Sequence, residues 1–352
     1  MSSISNKRLI NALCGNQIDR IPIWLMRQAG RHLPEYNIIR KKAGSFLDLC
    51  YSSDLATEIT YQPIKRYDVD AAIIFSDILV VPDALGQDVK FKKNYGPILQ
   101  PIRTPDDINT LTLQNFHEHL TPIYKTINNL RKILKPEVTL LGFCGAPWTV
   151  ATYMIEGRSS KYHSNIQRWA YGDPKSFQRI INLLVVASSE YLIKQLSAGV
   201  DAVQIFDSWA GTLSETNFLK WCLEPTTEIV KRVRKVHPTA VIIGFPKGIG
   251  SLYKIYSKNT KVNAVSIDTT VSTKWAAKHL QPNVCVQGNL DPQVLVTGGK
   301  NLEIEIENII NNLGNKPFIF NLGHGILPDT PVSNVKHLIN HLRFIENGAL
   351  IK

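Results

Sequence analysis

Two arginines, Arg27 and Arg31, follow directly on a short apolar run, Ile21 to Met26. Gln28, Ala29 and Gly30 fill the interval between them, and Pro34 comes soon after. An apolar run of this length reads as a buried strand, and the proline blocks simple continuation as a helix. The pair therefore stands where a strand gives way to a loop. Each guanidinium presents five donors in a fixed fork and stays charged at any working pH. Two forks on one loop suit a ligand carrying several carboxylates or phosphates. Solvated surface arginines are the alternative on spacing alone.

The elements that would position such a pair recur along the chain. Short β-rich runs are expected at Ile21–Met26, Asp70–Phe75, Val138–Phe143, Asp201–Phe206, Ala240–Phe245, Ala264–Ile267, Val284–Gln287 and Phe318–Asn321. Helical segments alternate with them: Ser53–Tyr67, with Ser53 and Asp54 as caps, Thr104–Leu134 with a break near Pro122, and Trp148–Ile155 ending at Gly157. Further helices are Asp173–Ala198 closed by Gly199, Ser214–Val236 and Val332–Glu346. Residues 78–101 read as an excursion with a β-hairpin, and Asn6–Leu13 as a helical lead-in. Strands alternating with helices argue for parallel β/α units, and eight of them for a closed barrel. The expected fold is α/β, one (β/α)8 TIM-type barrel domain over residues 1–352. A doubly wound sheet is the second choice, weakened because no GxGxxG follows the first run.

A barrel of this type carries its site at the C-terminal strand ends. Reading those ends yields Arg27 and Arg31, then Asp77, Tyr153, Ser208 and His324, with Asp268 and Asn289 as further candidates. The mouth thus mixes cations with one well-placed carboxylate in a concavity able to enclose a small molecule.

Composition narrows the partners. Lys and Arg number 40 against 29 Asp and Glu, giving +11 and a pI near 9.3. This favours acidic partners in general. The excess lies in small clusters: Arg40, Lys41 and Lys42; Lys90, Lys92 and Lys93; Lys231, Arg232, Arg234 and Lys235. None forms a basic tail or stripe, and no RNA-binding or helix-turn-helix signature appears, so a nucleic-acid partner is not expected. The five cysteines are widely and irregularly spaced, which indicates neither a disulfide framework nor a zinc site. No signal-peptide core and no apolar run near the roughly 20 residues of a bilayer span is present. A cytoplasmic protein without a membrane partner is expected.

The stretch PIWLMRQAGRHLPEY, residues 22–36, resembles the N-terminal signature of the uroporphyrinogen decarboxylases. GFCGAPWTVATYMIEG, residues 142–157, is similar to that family's second signature, and FSDILVVPDALG, QIFDSWAG and NLGHGI follow its pattern in order. The resemblance spans about residues 5–345. It implies a somewhat distorted TIM barrel, commonly a homodimer with facing clefts. It also implies removal of carbon dioxide from the four acetates of uroporphyrinogen III, giving coproporphyrinogen III, with no cofactor and no metal.

That chemistry explains the residue types. Electrons left by departing carbon dioxide need a sink, which a pyrrole protonated at its α-carbon supplies. The site then needs an anion near the pyrrole N–H groups and cations for the remaining carboxylates. Asp77 is the natural anion, expected to be ionised without special tuning because an ordinary Asp titrates near 3.9. It would gather the pyrrole N–H groups and stabilise the cation; a helix N-cap or structural ion pair is its alternative. Arg27 and Arg31 would hold acetates or propionates, and one could assist proton delivery through water. The backbone of Gln28, Ala29 and Gly30 could approach the ligand, Gly30 most easily. Tyr153 and Ser208 would offer hydroxyls, against a core tyrosine and a helix cap. His324, between Gly323 and Gly325 on a backbone free to take an unusual shape, would donate to a propionate or relay a proton, against a structural histidine. Phe46 would pack on the macrocycle or in the core, whereas Trp148 and Trp209 read as core residues. Two other functions use the same features: a zinc- or corrinoid-linked methyltransferase on this barrel, and a non-catalytic tetrapyrrole-binding protein.

Overall fold

The structure, a computed structural model, describes residues 5–92, 95–160 and 162–346. Lys93 of the second basic cluster lies outside them, as do residues 1–4 and 347–352 at the ends of the expected domain. The strands are β1 Ala71–Ile73, β2 Val89–Lys92, β3 Gly96–Leu99, β4 Thr139–Gly145, β5 Ala202–Asp207, β6 Val241–Pro246, β7 Ala264–Ser266, β8 Cys285–Leu290 and β9 Phe318–Leu322. Seven form one parallel sheet in the order β1-β4-β5-β6-β7-β8-β9, and β2 pairs with β3 as an antiparallel hairpin.

Residues 22–24 complete the ring. Ile23 bridges Phe320 in parallel. Phe320 N–H donates to Pro22 O at 2.9 Å, and Asp70 N–H donates to Ile23 O at 2.8 Å on the other side. This segment is thus an eighth stave between β9 and β1. It is not the full strand expected over Ile21–Met26. Pro22 has no N–H to give, and side chains take the place of the ladder: Ile23 N–H donates to Asp70 Oδ2, Leu25 N–H to Gln28 Oε1 and Met26 N–H to Asn321 Oδ1.

Strand side chains alternate between two cores. Trp24, Met26, Leu141, Ile243, Phe245 and Ile319 fill the barrel interior, together with Leu9, Ala12 and Leu13 of the helix Arg8–Leu13, which plugs the N-terminal end. Leu140, Val203, Ile205, Ile242, Val286 and Phe320 face the surrounding helices. Two carboxylates pin the same end. Asp70 accepts from Arg8 at 2.7 Å, Arg343 at 2.8 Å and Arg20 at 3.2 Å, while Asp201 pairs with Lys7 and Arg131. Both read as strand residues from sequence, yet each stands just before its strand and serves as a clamp.

Several helices differ from expectation. Pro34 opens a helix, Pro34–Lys42, because a proline at the first helical position forfeits only an N–H that has no partner there. Phe46–Tyr51 forms behind a Ser45/Asp48 capping box. Ser53–Arg66 keeps Pro63 inside it and is preceded by Ser52, so Ser53 and Asp54 are helical residues and not caps. Thr104–Leu134 is helical chiefly over Thr121–Ile133, which Pro122 helps to start. Gly157 and Gly199, at φ 75° and 114°, end their helices as expected. Among the described residues no helix is long and apolar enough to cross a membrane.

Candidate active site

All eight staves are parallel, so their C-terminal ends share one face, and the segments leaving them build the mouth. Arg27 enters it with φ 62°, a left-handed conformation that a side chain rarely takes. The loop is held by Gln28, whose amide accepts from Leu25 N–H and donates to Ala71 O at 2.9 Å, while its own N–H donates to Leu25 O. Gln28 is therefore spent on the loop and not available to a ligand through those groups. Gly30 is likewise required by the turn, since a Cβ there would stand 2.9 Å from Arg27 O. Ala29 is partly buried beside it, and Arg31 is exposed.

Asp77 follows β1 and is partly buried. Its Oδ1 accepts from Leu79 N–H at 2.9 Å. Burial pushes its carboxyl up to about 6, against the pull of that N–H and of the Arg27 charge. This corrects the expectation of an untuned carboxylate: Asp77 is still mostly ionised at pH 7, with its titration near neutrality. Tyr153, on the helix Pro147–Glu156 after β4, is raised by burial and by the Asp77 charge, so it remains a phenol donor. His324, after β9, is held down at about 4 by burial, by Arg27 and by Lys247. It is a neutral imidazole in the working range. The flanking glycines do not serve an unusual backbone shape; they permit close approach. A Cβ at Gly325 would overlap Arg27 Cδ and stand 2.7 Å from its Cγ, and one at Gly323 would stand 2.5 Å from Thr269 N.

The Arg27 charge thus acts on Asp77, Tyr153 and His324, and the Asp77 charge on Tyr153. Phe46 packs on Phe75 at 5.6 Å and Phe91 at 4.7 Å, with the Arg40 guanidinium 6.0 Å from its centroid. The Ser208 wall is fixed from behind: Thr149 Oγ1 donates to Asp207 Oδ1 at 2.5 Å and accepts from Trp209 N–H at 3.1 Å. Trp209 is partly buried, packs against the main hydrophobic core as expected and also touches Tyr153 and His163; Trp148 is fully buried as expected.

Two candidates have structural partners. Asp268 accepts from Gly248 N–H, Tyr253 OH, Thr270 N–H and Thr270 OH, which ties the loop after β6 to that after β7. Asn289 donates to the carbonyls of Asp268 and Val271. Sequence reading missed Arg40, Asp207 and Lys247. The last two stand at strand ends, where the barrel rule itself could have found them; Arg40 is revealed only by its stack on Phe46.

Comparison with known proteins shows the family and the fold. A family profile described as Uroporphyrinogen decarboxylase (URO-D) matches residues 4–344. Proteins named uroporphyrinogen decarboxylase from Chelativorans sp. (strain BNC1) and Rhodospirillum rubrum are 52% and 48% identical to it. Each match covers 97% of this chain, and 99% and 98% of the respective relative. This chain belongs to the uroporphyrinogen decarboxylase family. Among solved structures, a methyltransferase from Methanosarcina mazei superposes with TM-score 0.81 at 17% identity, covering 97% of this chain and 99% of the other. A B12-independent methionine synthase from Shewanella sp. W3-18-1 gives 0.53 at 10%, covering 93% and 95%. These share the barrel. As a member of the uroporphyrinogen decarboxylase family, the chain carries on this barrel a strand-end face where the Arg27 charge acts on Asp77. Among the described residues no three His, Cys, Asp or Glu side chains converge as metal ligands.

Proposed function

We propose that this chain is a carboxy-lyase of haem biosynthesis that decarboxylates the four acetates of uroporphyrinogen III to methyl groups, giving coproporphyrinogen III. The observation that carries the reading is Asp77: a carboxylate just after β1, beside Arg27, whose side chain accepts one hydrogen bond among the described residues, from Leu79 N–H. An ion pair serving only the fold would be closed by its partners, as Asp70 is. Asp77 keeps acceptor capacity for pyrrole N–H groups.

In each round a proton adds to a pyrrole α-carbon and leaves an iminium-like cation. The C–C bond to the acetate carboxylate breaks, its electron pair enters the ring, and carbon dioxide departs. The exocyclic methylene then takes a proton and the α-carbon gives one up, so the net change is one proton consumed and one CO2 released. Ionised Asp77 accepts from the pyrrole N–H groups and stabilises the cation electrostatically. Arg27 and Arg31 hold carboxylates of the other side chains, with Ala29 and Gly30 bordering them and Phe46 against the macrocycle. Tyr153, Ser208 and neutral His324 donate to carboxylates, and His324 is too weakly basic to act as a standing acid near pH 7.

The same reading takes the chain as a cytoplasmic homodimer working without cofactor or metal. The test is anaerobic incubation of metal-stripped protein with uroporphyrinogen III, followed by oxidation and separation of products by carboxylate number. Stepwise loss of four carboxylates supports it. Folded protein that binds the substrate and removes none favours the binding-protein reading, and strict zinc dependence favours the methyltransferase reading. Sedimentation that finds only monomer at micromolar concentration removes the dimer.

A further inference from the structure

Lys247 is the residue directly after β6, and nothing in the proposed reaction has yet used it. It is partly buried, and among the described residues no carboxylate lies within ion-pair distance of its amine. Its backbone is fixed on both sides: Lys247 N–H donates to Asp207 O at 3.0 Å, and Gly211 N–H donates to Lys247 O at 2.9 Å. The neighbouring carboxylate, Asp268, is occupied by Gly248, Tyr253 and Thr270. A lysine with no ion-pair partner keeps all three of its amine donors for a ligand.

Its position in the ring is informative. Taking the stave at Ile23 as first, the order β1-β4-β5-β6 makes β6 the fifth of eight, four steps round and so diametrically across the barrel from the stave that leads into Arg27 and Arg31. The side chain is nevertheless within the field of His324, which also feels Arg27. One mouth therefore has cations on opposite walls. A ligand with carboxylates on a single edge would need only the arginine wall. A macrocycle bearing carboxylates on all four rings needs both.

We infer that Lys247 binds a carboxylate of the substrate ring farthest from Arg27, and so helps set specificity for a porphyrinogen substituted on every side. The inference rests on the proposed function and deepens it. Its test compares the full-length wild type with Lys247→Met and Lys247→Arg under anaerobic turnover. The variants alter only the side chain, so both backbone bonds of residue 247 remain. Lys247→Met is expected to raise KM for uroporphyrinogen III about tenfold, the loss of one charge-assisted hydrogen bond at a partly exposed site. kcat should fall less than KM rises, and Lys247→Arg should restore most of the affinity. The salt dependence of kcat/KM should also be shallower in Lys247→Met. An active wild type beside an unchanged KM in Lys247→Met overturns the role of Lys247 alone. A loss that arginine does not restore, accompanied by a lower unfolding midpoint, makes Lys247 structural and overturns it too. An inactive wild type overturns the proposed function and this inference with it.

Discussion

Replacing Asp77 by Asn should make the protein more stable and nearly inactive. Burial lifts this carboxyl from its ordinary 3.8 to about 6. At about 1.4 kcal/mol per pH unit, holding the charge in the folded mouth costs roughly 3 kcal/mol. The sign follows from proton counts. Between about pH 4 and 6 the folded protein keeps a proton that the unfolded chain has released, so stability falls as pH rises through that window. Above about 6 the full cost is present. Asparagine keeps the shape and an acceptor for Leu79 N–H but carries no charge, and the Leu79 bond is already contained in the shift. Urea unfolding should therefore find Asp77→Asn up to about 3 kcal/mol more stable than wild type at pH 8, with the advantage fading toward pH 4. A variant equal to or less stable than wild type at pH 8 would refute the idea that the mouth holds a destabilised charge.

Asp70→Asn is expected to lose about 3 kcal/mol in the same assay, because a buried carboxylate serving Arg8, Arg20 and Arg343 is removed from the N-terminal end of the barrel; a loss below about 1 kcal/mol would show the cluster to be redundant. Gly325→Ala puts a methyl against Arg27 Cδ and Cγ. Its turnover should fall at least tenfold with a stability change within about 1 kcal/mol, since a small displacement of a substrate-positioning group is costly; unimpaired turnover would show that Arg27 has room to move.

The fold was legible because buried parallel strands advertise themselves as short apolar runs, and TLLGFCG, VIIGFP and FIFNL are buried throughout. Stave one was legible as an element but not as a single bridge, because three of its N–H groups are taken by the side chains of Asp70, Gln28 and Asn321. Pro34 and Pro63 misled in opposite ways. One starts a helix and the other is tolerated inside one, which tertiary packing decides and local propensity does not. Which residues stand at the strand ends was readable, but their electrostatics were not. That Asp77 titrates near neutrality and His324 stays neutral depends on burial and on charges converging from distant segments. Gln28 was read for its backbone alone, because nothing in a linear sequence shows that its side-chain amide ties Leu25 to Ala71.

The most direct test of the account is the pH dependence of kcat/KM for uroporphyrinogen III, measured anaerobically on the wild type and on Asp77→Asn. An ionised Asp77 predicts wild-type activity that is level above about pH 7 and falls tenfold per pH unit below about 6. Asp77→Asn should lie at least a hundredfold lower, without that limb. Wild-type rates in Asp77→Asn, or a wild type with no acid limb near 6, would contradict the claim that this carboxylate carries the reaction.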